Sequence, residues 1–97
     1  MAKAYWIAFY HSINDAEAMA RYSKLAAPAI KKAGGTFKAR GMASKAYEAG
    51  LEQRVVMIEF ESVEQAVAAH DSPDYKEALD VMGDAAVRDM RIVEGID

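Results

Sequence analysis

The sequence contains no cysteine. That absence excludes a disulfide framework, a thiolate metal site and a cysteine nucleophile together. Histidine is scarce as well: His11 and His70 stand far apart in the chain, a poor basis for a metal site, and none is expected. No stretch approaches the ~20 apolar residues of a membrane helix. The segment Met1 to Phe9 is apolar only briefly and lacks the length and cleavage site of a secretory signal. An excess of positive charge is also missing, the formal net charge being -3. Nucleic acid needs a positive face that displaces phosphate counterions, whereas here lysines and arginines are mixed with acids along the chain. The expectation is a cytoplasmic protein with no nucleic-acid or membrane partner and no cofactor.

What is present is the composition of a folded domain. With 97 residues, 53% hydrophobic and 28% charged, the chain suffices for one domain over residues 1–97 and is too short for two. A domain of this size buries only about 60–65% of its unfolded surface, so oligomerisation is a common supplement to its stability.

Tyr5 to Tyr10 is a short aromatic-rich run that reads as a strand, ended by His11-Ser12-Ile13-Asn14. Asn14 followed by Glu17 resembles a capping box, and helical spacing continues through Met19, Tyr22, Ala26, Ile30 and Ala33 to a stop at Gly34-Gly35. Pro28 lacks the N–H that would bond the carbonyl of Lys24, which predicts a kink or break. Thr36 to Arg40 alternates weakly, and Gly41 is the expected bulge before Met42 to Tyr47. Ala49-Gly50 fits a hairpin turn, and Arg54 to Phe60 is the clearest strand. Ser62 to Gln65 forms a second capping box, after which Val63, Ala66, Val67 and His70 share a helix face. Ser72-Pro73 restarts the helix, with Tyr75, Ala78, Leu79 and Met82 on one side. Val87 to Glu94 alternates again, with Met90 and Ile92 opposite Asp89 and Arg91.

The order is βαββαβ, an α+β, ferredoxin-like arrangement with a four-stranded antiparallel sheet in the order 4-1-3-2 and helices on one face. The first and third strands are the most apolar and belong at the centre. The second and fourth carry Lys38, Arg40, Arg88 and Arg91, as edge strands tend to. An antiparallel sheet with one wet face should alternate apolar and polar residues. The third strand instead reads Val55-Val56-Met57-Ile58, apolar on both faces, and the first does the same at Trp6-Ile7. Each such side chain, fully buried, is worth roughly 1.5–3 kcal/mol. The second face therefore predicts a cover, most simply a second copy of the same sheet in a two-fold homodimer.

Several short motifs in this chain resemble a known family. They are Gly34-Gly35, Arg40-Gly41, Glu59-Phe60-Glu61-Ser62-Val63-Glu64-Gln65-Ala66, Asp71-Ser72-Pro73-Asp74-Tyr75 and Val93-Glu94-Gly95. In this order they are similar to the family called domain of unknown function 1330, within the dimeric α+β barrel superfamily, over nearly the whole chain. The resemblance implies the ferredoxin-like fold and a sheet-to-sheet dimer. It supplies no reaction, although related superfamily members include cofactor-free oxygenases, isomerases and heme-handling enzymes. Members often carry an arginine near the position of Met82 and an acid where Phe9 stands, and this chain has neither.

Among single residues, Glu59 interrupts an apolar central strand, where an ionised carboxylate needs a partner and a raised pKa would suit a general acid or base. Its simpler reading is a strand-end carboxylate in water or bonded to Arg40. His70 on its helix stripe is the second candidate for proton transfer, read otherwise as a packing residue. Antiparallel pairing brings Tyr5, Arg40, Glu59 and Glu94 toward one end of the sheet, on faces that depend on the bulge at Gly41. Tyr5, Arg40 and Tyr75 are the candidate ligand-binding residues, and Trp6, Phe9, Tyr10 and Tyr75 could line a pocket for a flat molecule. The functional expectation is a small organic ligand held between sheet and helices, in a binding protein or a cofactor-free enzyme of the oxygenase or isomerase kind. The alternative is a non-catalytic stress-related or interaction module whose cavity is filled by its own side chains.

Overall fold

Alternation along the first strand decides the inside of the molecule. Ala4, Trp6, Ala8 and Tyr10 are buried, whereas Ile7 is half-buried and Phe9 and His11 are exposed. The same period of two runs through the third strand, where Val56, Ile58 and Phe60 are buried. In a computed structural model, which describes residues 2–96, the elements are β1 (Ala4–Ile13), α1 (Ala16–Lys32), β2 (Thr36–Met42), β3 (Arg54–Phe60), α2 (Val63–His70), α3 (Pro73–Met82) and β4 (Ala86–Glu94). Met1 lies outside the described residues. The strands form one antiparallel sheet ordered β2-β3-β1-β4, the expected order read from the other edge. The helices contribute Met19, Tyr22, Ile30, Ala66, Ala69, Tyr75 and Ala78 to a core with the even-numbered residues of β1. No helix among the described residues is long and apolar enough to cross a membrane.

The chain breaks between elements mostly where its chemistry directs. Ser62 accepts from the Gln65 N–H at 3.1 Å, and the Gln65 side chain accepts from the Glu61 N–H at 2.8 Å. Ser72 accepts from the Tyr75 N–H at 3.2 Å, with Pro73 opening α3. Gly34, at φ +101°, takes the left-handed turn that ends α1. Gly35 admits a close approach: a Cβ there would stand 2.6 Å from Ile30 and 2.8 Å from Phe60.

Four local expectations are corrected. The cap of α1 is Asp15, which accepts from the Ala18 N–H at 3.1 Å. Asn14 is engaged elsewhere, its backbone N–H bonding the Ala85 carbonyl at 2.6 Å and tying the end of β1 to the start of β4. The helix runs through Pro28 unbroken, because Pro28 and Lys24 both lie on the exposed side, where water can take the carbonyl that proline leaves free. Residues 43–53 form a long connection, with a turn at Tyr47–Gly50 and Glu48 at positive φ, in place of a tight hairpin. His11 belongs to β1, beside a register shift between Tyr10 and Ser12, and not to a loop.

The fifth correction positions the site. The irregularity in β2 falls between Phe37 and Ala39, while Gly41 pairs regularly with Val55. The extra residue gives Phe37 and Arg40 the same face, because they pair with Ile58 and Val56, two positions apart on β3. Unbroken alternation would have sent Arg40 to the opposite side.

Candidate functional site

A cleft lies between α1 and the inner face of the sheet. Trp6, Ile58 and Met90 supply apolar wall from the strands, Ala26 and Ile30 from α1, and Phe37 from the edge strand β2. Its cavity volume is about 30 Å³. That is room for about two waters. With its open mouth the recess reaches about 410 Å³.

One hydrogen-bonded polar set enters this apolar recess. Arg88 projects from β4 on the same face as Met90 and Ile92 and donates to three tyrosine hydroxyls: Tyr10 at 3.0 Å, Tyr22 at 3.1 Å and Tyr75 at 3.2 Å. Tyr22 and Tyr75 also share a hydrogen bond of 2.7 Å. The guanidinium stands 4.9 Å from the Tyr22 ring centre and 5.5 Å from that of Tyr10, within cation–π range. Tyr75 is fully buried and backs the set from α3, its ring edge-on to Trp6 at 4.9 Å. Burial first, and then the neighbouring Tyr22, push the Tyr75 hydroxyl well above the usual phenol range, so it stays protonated. Arg40 and Arg54 add two further cations to the cleft wall, Arg40 lying 4.6 Å from the Phe37 ring centre and Arg54 5.9 Å from that of Tyr10.

Of the residues expected to act together, Tyr5 and Glu59 do meet. They pair across β1 and β3, and the Tyr5 hydroxyl donates to the Glu59 carboxylate at 3.0 Å. Their face of the sheet is the one without helices, so they do not reach the cleft. Arg40 is not their partner, because the β2 bulge turns it to the other face. Lys3 at 3.6 Å and Lys38 at 3.8 Å attend Glu59 instead. Chiefly the Tyr5 hydrogen bond, against partial burial and with help from Lys3 and Lys38, holds the Glu59 carboxyl below its ordinary value. This is the opposite of the elevation a general acid would want. Glu94 pairs with Ala4 at the same end and is exposed.

A pH dependence follows. A carboxyl depressed in the folded state stabilises the fold above its unfolded pKa, and that contribution is lost as pH falls through the folded value. Glu59→Gln is therefore expected to destabilise at pH 7 and to converge with the parent protein in acid, below the ordinary carboxylate range. Urea unfolding at both pH values checks this, and a gap independent of pH would contradict it.

His70 is half-exposed and does not sit in the buried stripe, because Ala66 and Ala69 form the contact face of α2 and Val67 is exposed. Its Nδ1 lies 3.0 Å from the Asp71 carboxylate. The ring packs 5.4 Å from Trp6, beside a notch shared with Met90 and Ile92 that is distinct from the cleft. His70 and the arginine set thus flank Trp6 and meet only at Tyr75, whose ring lies 5.3 Å from that of His70. The residues that sequence reasoning missed are Arg88, Tyr10 and Tyr22 as a polar set. A signal existed: Arg88, Met90 and Ile92 recur at spacing two, which places a cation among inward positions.

A four-stranded antiparallel sheet covered by helices on one face, with a cleft beneath α1, defines a ferredoxin-like α+β domain. The chain belongs to the family described as domain of unknown function (DUF1330), whose model matches residues 3–96. Solved structures agree on the fold. A protein of unknown function from Rhodopseudomonas palustris is 19% identical at a TM-score of 0.75, the match covering 99% of this chain and 84% of that one. A dimeric ferredoxin-like protein of unknown function from Thermobifida fusca is 22% identical at a TM-score of 0.61, covering 97% and 90%. SnoaB, a cofactor-independent oxygenase from Streptomyces nogalater, is 11% identical at a TM-score of 0.63, covering 100% and 96%. No curated protein matches the sequence.

Proposed function

We propose that the protein is a homodimer, joined through its open sheet faces, in which the cleft of each subunit holds a small, partly apolar organic ligand. The observation that carries the ligand is the cleft itself, with apolar walls and one convergent set of polar groups. The dimer draws on the open face, where Phe9, Val87 and Val93 are 41%, 57% and 51% exposed beside Ile7, Val55 and Met57. Charges on that face are already matched: Arg91 binds Asp89 through two nitrogens, at 3.2 and 2.9 Å, and Glu59 is held by Tyr5. Such a surface can be buried without stranding a charge. The dimeric relative from Thermobifida fusca has the same fold. Chemistry without a cofactor, of the oxygenase or isomerase kind, is the enzymatic form of this reading, in keeping with the fold shared with SnoaB. In that form the ligand meets the Arg88 set, while Glu59 and His70 stand outside the cleft.

The test uses Trp6, the single tryptophan, which lines the cleft. Single-ring aromatic compounds titrated against its fluorescence should saturate at one site per chain, and Ala27→Phe, which fills the cleft from α1, should abolish the response. A second reading, a non-catalytic module whose cavity is filled by its own side chains, rests on the small cavity volume and on Arg40 packed against Phe37. Absence of saturation by any neutral or charged probe would favour that module and defeat the ligand site.

A further inference from the structure

We propose that Arg88 makes the cleft a carboxylate site, so that its ligand is a flat organic acid with its anionic end on Arg88 and its apolar body against Trp6 and Phe37. The inference rests on the cleft being a ligand site. It starts from an imbalance of charge. A guanidinium has five N–H donors. Two from Nη1 go to Tyr10 and Tyr22 and one from Nη2 goes to Tyr75, which leaves the Nε–H and a second Nη2–H. These belong to neighbouring nitrogens of the planar fork, and a carboxylate's two oxygens match such a pair.

All three acceptors are tyrosine hydroxyls. Among the described residues no carboxylate lies within ion-pair distance of Arg88. The wall of the cleft contains no Asp or Glu and two more arginines, Arg40 and Arg54. Buried tyrosines cannot serve as counter-ions while protonated, and burial keeps the Tyr75 proton in place. A guanidinium withdrawn from water without an anion is unfavourable, and a cleft with low-dielectric walls and cations of one sign concentrates an anionic ligand. Tyr75 does not line the cleft. It is a positioning residue, which fixes one arm of Arg88 from behind while Tyr22 fixes the other.

The experiment compares benzoate with benzamide, its neutral isostere, by Trp6 fluorescence at constant ionic strength. Benzoate is expected to bind about tenfold tighter or better, as a charge-assisted bond to arginine implies. Arg88→Met should remove that preference, and Arg88→Lys should restore part of it. Equal binding of the two probes overturns the carboxylate site and leaves the cleft reading standing. Saturation by neither overturns the cleft reading and this inference with it. A benzoate preference unchanged in Arg88→Met also overturns the proposal, because the anion must then bind elsewhere. Should circular dichroism show that Arg88→Met does not fold, the double variant Arg40→Gln, Arg54→Gln is read in its place. A severalfold fall in benzoate affinity with benzamide unchanged supports the site, and no change in either refutes it.

Discussion

Met57→Asp is expected to convert the proposed dimer into a monomer. Met57 lies on central β3 opposite Ile7, in the middle of the face that carries no helices. Under two-fold symmetry a single substitution places an unpaired carboxylate on both sides of the interface. Each such charge, buried without a partner, is disfavoured by several kcal/mol. Every 1.4 kcal/mol is a factor of about ten in the dissociation constant, so a rise of about a thousandfold or more is expected. Light scattering at micromolar concentration should then report a mass near 10.6 kDa, where the proposed dimer of the parent protein is expected to give twice that. The cleft lies across the sheet from Met57, so Trp6 fluorescence should report the same probe affinity as before. A Met57→Asp protein that still scatters as a dimer would move the interface to another surface, and a parent protein that is monomeric at this concentration would remove the dimer altogether.

Trp6→Ala should do the largest damage to the fold itself. Trp6 is 2% exposed and packs against Phe60 and Tyr75 at ring-centre distances of 6.2 and 4.9 Å. Its indole N–H also donates to the Met90 sulfur at 3.2 Å. Truncating a buried tryptophan costs about 3–5 kcal/mol in transfer and cavity terms. Small domains have about 5–15 kcal/mol in all, and one of this size sits toward the low end. The thermal midpoint should fall by more than about 10 °C, or the protein should fail to fold at 37 °C. Trp6→Phe keeps a ring in place and loses the bond to Met90, so its midpoint should lie between the two. Far-ultraviolet circular dichroism at fixed protein concentration is the measurement, since the proposed dimerisation would add to apparent stability. A fall of only a degree or two would mean that the core closes over the gap.

The order of elements, the strand order and the break in the second helical segment were legible because each depends on local chemistry. Ser62 and Ser72 announce caps, and Pro73 directly after Ser72 suits the first position of a helix. Asn14 and Asp15 are both good caps, and what separates them is a long-range bond from Asn14 to Ala85 that no local pattern contains. The face of α2 was misread for a different reason. The stripe held Ala66 but took Val67 and His70 with it, whereas the small residue Ala69 is the other one that lets the helix sit close to the sheet. The site depended most on the β2 irregularity. Glycine is the usual marker of a bulge, and Gly41 drew that reading, but the extra residue falls at Lys38, a position whose residue type is silent on the matter. Tyr5 and Glu59 were placed at one end of the sheet, with Arg40 and Glu94, because strand pairing alone brings them there. The face of Arg40 stayed open because its parity turns on the bulge.

The doubled step in β2 also shapes how the two faces of the sheet can be inherited. Phe37 and Arg40 look inward at a spacing of three, and removing Lys38 would restore the ordinary spacing of two without turning either side chain round. A one-codon deletion there withdraws a cation from Glu59 and leaves the arginine over the cleft. A change of length at this one position would therefore alter the outer surface while leaving the inner one in place.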